Sequence, residues 1–295
     1  MNIYDIAKLA NVSIATVSRV VNNSPKVSPK TKEKVLAVMK ENEYTPNAFA
    51  RGLGLGSMKT VGIICPNIDD IYMAKAVSYL ERNLHAHGYD CILGCSGFKQ
   101  EEKEDYVRLL LSKKIDTLIL VGSTYAGNGK DESDTDYIRE AAEQVSIFMI
   151  NAKVSGDNIY CTYADDFQAT YEVTKAFIRR GKEKILFMYD SESYSARQKM
   201  AGYEAALQEA GYPICGNLKF KTRNDIEYTR DMLLEYNRTL DFDSVLATED
   251  GIAIGAVKYA KIKELAIPEE LPVAGYNNSI LAISSDPELT SVDSK

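Results

Sequence analysis

Long apolar runs are missing from this sequence. No stretch of 18 or more apolar residues occurs in its 295 residues, so no segment would cross a bilayer as a helix. The N-terminus has neither the basic nor the apolar region of an export signal. It opens directly into a helical pattern, which predicts a cytoplasmic protein. Histidine is scarce: His85 and His87 are the only two. Their separation is wrong for one helical face, and surface positions are expected. The five cysteines (Cys65, Cys91, Cys95, Cys161, Cys215) form an odd, scattered set. Most stand in apolar, strand-like runs, where a small buried thiol is the default. Cys91 and Cys95 have no second pair to complete a zinc site. A Gly-rich phosphate loop after a strand, a nucleophile motif, a His-Glu-x-x-His pair and an obvious catalytic dyad are absent too. The series Gly52-x-Gly54-x-Gly56 precedes a strand instead of following one, so it fits no dinucleotide fingerprint. The expectation is a chain that is not an enzyme and carries no cofactor or metal.

What is present is ordinary soluble protein: 45% hydrophobic, 26% charged, and long enough for more than one domain with a large core. The net charge of −7 speaks against nucleic acid until it is divided. Residues 1–60 hold nine Lys or Arg against four acids, a balance of +5 that leaves −12 for the remainder. Phosphates respond to the local field, not to the total.

The basic segment starts with a helical hairpin. Ile6 and Leu9 share a helical face with Ala7 and Ala10 beside them. Asn11 stands where the chain must turn, and Asn tolerates a left-handed backbone. Ser13 suits the N-cap of a second helix carrying Val17, Val20 and Val21. A helix, a short turn and a second helix is the DNA-reading helix-turn-helix; an ordinary helical hairpin with a solvated polar face is the other reading. The outward face of the second helix is Ile14, Ala15, Ser18, Arg19 and Asn22. Arg19 can fork onto guanine, and Ile14 and Ala15 can meet thymine methyls. Ser28 followed by Pro29 starts a third helix that runs to about Asn42, with Val35, Val38 and Met39 inward.

Asp5-Ile-Ala, Val12-Ser-Ile-Ala-Thr-Val-Ser-Arg19-Val-Val-Asn22, Val27-Ser28, and Tyr44-x-Pro46-Asn47-x-x-Ala50-Arg51-x-Leu53 together resemble the headpiece of the LacI/GalR family of bacterial transcription regulators. The resemblance implies a repressor that binds a palindromic operator in double-stranded DNA as a homodimer. It adds Ser13, Thr16, Lys26, Tyr44 and Asn47 to the DNA-facing set, with Ser28 and Thr31 on phosphates. It makes residues 47–58 a hinge, helical on DNA, whose Leu53 wedges into the minor groove. Gly52, Gly54 and Gly56 each disfavour helix by about 1 kcal/mol relative to Ala, so this hinge is expected to be loose; a plain flexible linker is the alternative.

Beyond the headpiece (1–46) and hinge, strands and helices alternate, which means doubly wound parallel sheets. Strands are expected at Thr60–Cys65, Cys91–Gly94, Asp116–Val121 and Ser146–Ile150, with helices at Met73–Ala86 and Gln100–Lys113. A polar loop over Tyr125–Ser133 leads into a helix ending near Glu143. A second round begins around Ile159–Tyr163. Two α/β lobes, 59–160 and 161–290, resemble the periplasmic sugar-binding proteins and the effector domain of the same regulators. Asp286-Pro-Glu-Leu-Thr-Ser-Val292 resembles the segment that leads back into the first lobe, so 291–295 is read as the start of that return. The sequence stops at Lys295 where the family continues with a further helix and strand, and truncation at the C-terminal end is expected.

Ligands of doubly wound lobes meet the C-terminal ends of strands. Those ends offer Asp70 and Tyr72, Asn151, Arg197 and Lys199, Glu249 and Asp250, and Asn277. The family usually has an arginine where Lys199 stands, and Asp where Asn151 and Asn277 stand. Arg197 is a candidate substitute for that arginine, although guanidinium and ammonium are not equivalent. A sugar-like small molecule is implied; Arg197 and Lys199 together keep a sugar phosphate open, and a protein partner is a further option.

Overall fold

The computed structural model describes residues 1–45, 57–129, 131–236, 239 and 241–293. Three short helices come first: α1 (Ile3–Leu9), α2 (Ile14–Val21) and α3 (Pro29–Glu41). Each starts on a polar cap, from Asn2, Ser13 and Ser28 respectively. Asn11 takes the left-handed backbone that the turn requires, at φ 49°. Ile6, Ala7, Ala10, Val17, Val20, Val35 and Met39 form the small core. Leu9, expected inside, is exposed. At this helix packing Ala10 takes the inner position, and the smaller side chain lets α1 approach its neighbours.

Two parallel sheets follow. The first contains β1 (Thr60–Cys65), β2 (Asp90–Cys95), β3 (Thr117–Val121), β4 (Ser146–Ile150) and β5 (Ile159–Thr162), in the order β2-β1-β3-β4-β5. Between them run α4 (Ile71–Ala86), α5 (Gln100–Ser112) and α6 (Asp136–Ala142). The second contains β6 (Ile185–Tyr189), β7 (Lys219–Lys221), β8 (Ser244–Ala247), β9 (Val273–Tyr276) and β10 (Thr290–Val292), in the order β10-β9-β8-β6-β7. Its helices are α7 (Asp166–Arg179), α8 (Tyr194–Glu209), α9 (Ile226–Tyr236), α10 (Asp250–Ile262) and α11 (Ile280–Ser284). Both lobes thus repeat one winding. The near-continuous apolar strands follow from burial on both faces. Along β1, Val61, Ile63 and Cys65 pack toward Val77 of α4, while Ile64 packs toward Val107 and Leu110 of α5. In lobe two Leu186 and Met188 join Ile252 and Val257, and Ile185 and Phe187 join Phe177 and Tyr203.

The structure corrects several expectations. Ile159–Thr162 does not open the second round; it pairs with β4 and completes the first sheet. Thr290–Val292 is likewise not yet a return to lobe one, because it pairs in parallel with β9. Both segments fill the same edge position of the repeated winding. α4 begins at Ile71, two residues before the expected start, because Asp70 caps it: the Met73 N–H donates to Asp70 Oδ1 at 2.9 Å. The polar loop over 125–133 contains two 3₁₀ turns, Ser123–Ala126 and Glu132–Thr135. Tyr125 is fully buried there, its hydroxyl 2.7 Å from that of Ser96. Of the cysteines only Cys65 is buried; Cys95 is exposed and the other three are half-buried. Cys91 and Cys95 lie on β2, an edge strand with one open side. No helix among the described residues is long and apolar enough to cross a membrane.

α7 and α8 approach closely at Gly202, where a Cβ would stand 2.2 Å from the Phe167 carbonyl oxygen. Backbone cannot yield as a flexible side chain can, so Gly202→Ala should cost about 3 kcal/mol in urea unfolding. Gly216→Ala, with nothing within 4 Å of its Cβ, should stay within about 0.5 kcal/mol.

Candidate functional sites

The first site is the outer face of α2. Ser13 Oγ accepts the Thr16 N–H at 3.1 Å and lies 2.9 Å from Thr16 Oγ1. The two hydroxyls thereby fix the helix start, with Ile14, Ala15 and Arg19 exposed beyond them. Arg19 makes no ion pair among the described residues, which leaves its fork uncommitted. Ser18 and Asn22 are half-buried, and the side-chain oxygen of Asn22 faces inward without a partner. Ser28 and Thr31 repeat the capping pattern at α3, their hydroxyls 2.8 Å apart. Lys26 is exposed beside that helix start. Tyr44 packs its ring on the headpiece core, so it supports the unit from behind. Asn47 and Leu53 lie outside the described residues.

The second site is a cavity of about 650 Å³ between the lobes. Four strand ends supply much of its wall. After β1 stand Asn67 and Asp69–Met73, after β3 Gly122–Thr124, after β6 Asp190, Ser191 and Ser193, and after β8 Thr248–Gly251. These are one adjacent pair from each sheet, β1 with β3 and β6 with β8, where consecutive connections depart to opposite faces and leave a crevice. The loop after β3 is held in place from behind. Lys103, buried on α5, donates to the Thr124 carbonyl at 2.8 Å, and burial lowers its pKa. Ser123 Oγ donates to Ser193 Oγ at 2.9 Å, a bond that crosses from one lobe to the other.

Asp70, Tyr72, Asn151, Lys199, Glu249, Asp250 and Asn277 all line this cavity; Arg197 does not. Its Nη1 donates to the Glu192 carbonyl at 2.9 Å and to the Gly127 carbonyl at 3.2 Å, and the guanidinium lies under Gly129. Arg197 is an interlobe strap. At two residues before Lys199 its side chain leaves the other side of α8, which is why it cannot stand in for a ligand there. Asp250 is also committed. Its Oδ2 accepts the Ser279 N–H and its Oδ1 the Ser291 hydroxyl, both at 2.6 Å, so it pins the β10 segment onto α10. Asn151 and Asn277 adopt left-handed backbones, φ 62° and 90°, a conformation Asn tolerates. The Asn277 amide donates to Glu249 Oε2 at 2.5 Å.

Lys199 is 3% exposed and fully engaged. Its ammonium donates to the Thr248 carbonyl at 3.0 Å, stands 3.9 Å from Glu249 Oε1, and sits 3.6 Å from the centre of the Tyr276 ring. Tyr276 in turn donates its hydroxyl to buried Asp166 at 2.6 Å. Sequence reasoning missed Asp190, Ser193 and the role of Tyr276. Asp190 directly follows β6, so the strand-end rule alone would have found it. Burial raises its carboxyl pKa, with Lys199 opposing. Burial, with the charges of Asp166, Glu249 and Asp70, pushes the Tyr72 phenol up to about 12.

Burial, assisted by Asp190, Asp70 and Asp250 and opposed by Lys199, pushes the Glu249 carboxyl up to about 8 from 4.5. The folded chain then holds a proton that the unfolded chain releases at lower pH. Stability from this group is complete below pH 4.5 and declines as pH rises toward 8. Urea unfolding from pH 5 to pH 8 should therefore show a smaller decline in Glu249→Gln than in the parent. Parallel profiles would mean that the carboxyl is ionised throughout.

Residues 2–47 match the lacI family of bacterial regulatory proteins, and residues 58–292 match the periplasmic binding proteins and sugar binding domain of the LacI family. An HTH-type transcriptional regulator of Lachnoclostridium phytofermentans is 47% identical over 294 residues, which cover 99% of this chain and 88% of that protein. Catabolite control protein A of Priestia megaterium is 30% identical over 300 residues, covering 99% and 87% respectively. Among solved structures, a lac repressor dimer bound to operator and the anti-inducer ONPF superposes with a TM-score of 0.88 at 22% identity, over 100% of this chain and 88% of that one. A CelR–cellobiose complex gives 0.67 at 24% identity, over 99% and 88%. The structural likenesses establish the fold, and the family matches over both parts of the chain establish more: this protein belongs to the LacI family of bacterial transcriptional regulators.

Proposed function

We propose that this chain is a sequence-specific repressor that binds a palindromic operator as a homodimer and is controlled by a small polyhydroxyl effector in the interlobe cavity. The observation that carries the DNA half is the face of α2. Ile14, Ala15 and Arg19 project beyond a capped helix start, within a first 60 residues of charge +5 followed by a remainder of −12. Short side chains let the backbone approach base edges, and a free guanidinium can read guanine O6 and N7. Ser28, Thr31 and Lys26 bring the start of α3 to the phosphates. Leu53 takes the minor-groove role that the family resemblance gives it.

The effector half rests on the cavity. Effector binding moves the lobes, and the energy available is the ligand's difference in affinity between the DNA-competent and DNA-released states. The phosphorylated alternative loses its support here, because Arg197 bonds backbone carbonyls outside the cavity and Lys199 is already engaged.

Operators selected from random duplex should be palindromic, and Arg19→Ala should weaken specific binding by about 5- to 150-fold, from loss of about 1–3 kcal/mol at one base position. Lys26→Ala should weaken all sequences alike and lower the salt slope by about one. Mobility-shift titrations at two salt concentrations distinguish the two effects. A parent protein that prefers no palindrome over random duplex would overturn the reading.

A further inference from the structure

One carboxylate ties together the residues through which the chain enters lobe one. Asp116 stands immediately before β3, and its side chain reaches the residues at the start of β1. Its Oδ2 accepts the Ser57 hydroxyl at 2.9 Å and the Thr60 N–H at 3.1 Å, and its Oδ1 accepts the Met58 N–H at 3.0 Å. Bonds to a charged acceptor are the stronger kind. The Asp116 N–H donates in turn to the Thr60 carbonyl at 2.8 Å. Ser57 Oγ also accepts the Lys59 N–H at 3.1 Å, so every residue from 57 to 60 is held. Lys59 stands inside this clamp with a left-handed backbone, φ 50°. A strained conformation of that kind persists only where its surroundings impose it.

Part of the clamp belongs to the common winding. β6 and β8 occupy in the second sheet the places of β1 and β3 in the first. There Asp243, immediately before β8, accepts the N–H groups of Glu183 and Lys184 at 2.8 and 3.1 Å. The lobe-one clamp reaches farther upstream. Counting back from the pairs Val61–Thr117 and Ile185–Ser244, the counterpart of Met58 is Lys182. The Lys182 N–H goes to the Phe177 carbonyl of α7, not to Asp243. Two of the Asp116 bonds, to Ser57 and Met58, thus hold residues that lobe two secures by other means. Those are the last two residues of the segment 47–58, which the family resemblance makes the hinge to the headpiece.

The same two strands serve both ends of the lobe. β1 and β3 pair from Val61–Thr117 to Ile64–Leu120; the loops after them line the cavity, and Asp116 joins their starts. Resting on the repressor reading above, we infer that Asp116 is the positioning residue that moors the headpiece segment to lobe one, so that a dimer presents two headpieces at the spacing of a palindrome. Without the clamp, engaging both half-sites at once requires more ordering of the chain. One headpiece on a half-site, or on random duplex, needs no such restraint.

The test uses the full chain in mobility-shift titrations against the selected palindrome, its half-site and random duplex. Asp116→Ala should weaken the palindrome tenfold or more and change the other two less than twofold. Asp116→Asn, which keeps one acceptor oxygen, should fall between parent and Asp116→Ala. Asp243→Ala removes the matching clamp of lobe two; it should lower the urea midpoint yet leave palindrome binding within twofold. Trypsin should cut after exposed Lys59 at least fivefold faster in Asp116→Ala than in the parent or Asp243→Ala. Far-ultraviolet circular dichroism verifies folding, and sedimentation the dimer. If Asp116→Ala does not fold, Ser57→Ala takes its place and should weaken the palindrome threefold or more. Unchanged palindrome binding, equal weakening by Asp116→Ala and Asp243→Ala, or loss of the dimer in Asp116→Ala overturns the mooring and leaves the repressor reading standing. A parent that prefers no palindrome overturns both.

Discussion

Everything functional in the larger part of this chain depends on one geometric constraint. A parallel sheet buried on both faces must send its connecting helices to both sides, and where the direction of winding reverses, two neighbouring loops diverge. Here the reversal lies between β1 and β3 in lobe one and between β6 and β8 in lobe two. Four strand ends supply Asp70, Ser123, Asp190 and Glu249 to one space. No loop needs unusual length to reach it. The apolar strands do their part far from the cavity, through the packing of Ile64 and Leu120 on one side of the first sheet and Ile63 and Val121 on the other.

The headpiece obeys a different rule. Seven buried residues make a core too slight to be very stable alone, and the helix starts are strengthened by side-chain caps instead. Ser13 and Ser28 hold their helices by bonding to residues three ahead, Thr16 and Thr31. The side chains that cap these helices are also ones the family resemblance sets toward DNA, Ser28 and Thr31 toward its phosphates.

Much of this was legible in the sequence, for identifiable reasons. The helix-turn-helix announced itself through Asn11, Ser13 and the valines of α2, because caps and turns are local chemistry. The alternation of strands and helices gave the two lobes, because burial on both faces writes apolar runs into the chain. Edges were harder. Ile159–Thr162 and Thr290–Val292 are short segments whose sheet membership is decided by which neighbour lies alongside, and no local pattern encodes that. The strand ends were legible, and Asp70, Asn151, Glu249 and Asn277 line one cavity. The direction of a side chain was not. Arg197 and Lys199 are two residues apart on one helix, and that interval sends one to the strap and the other to the cavity. Asp250 matched the pattern by position, but Ser279 and Ser291, distant in the chain, had already claimed both its oxygens.

The seat of Lys199 limits which side chains this cavity wall can accept in its place. The ammonium is a compact charge fitted between a ring, a carbonyl and a carboxylate. A planar fork has a different shape and more hydrogens to satisfy, so replacing it with arginine alone would crowd Tyr276 and leave donors unmet. Removing it alone would strand Glu249 among other acids. A change at this position therefore calls for matching changes among Tyr276, Thr248 and Glu249.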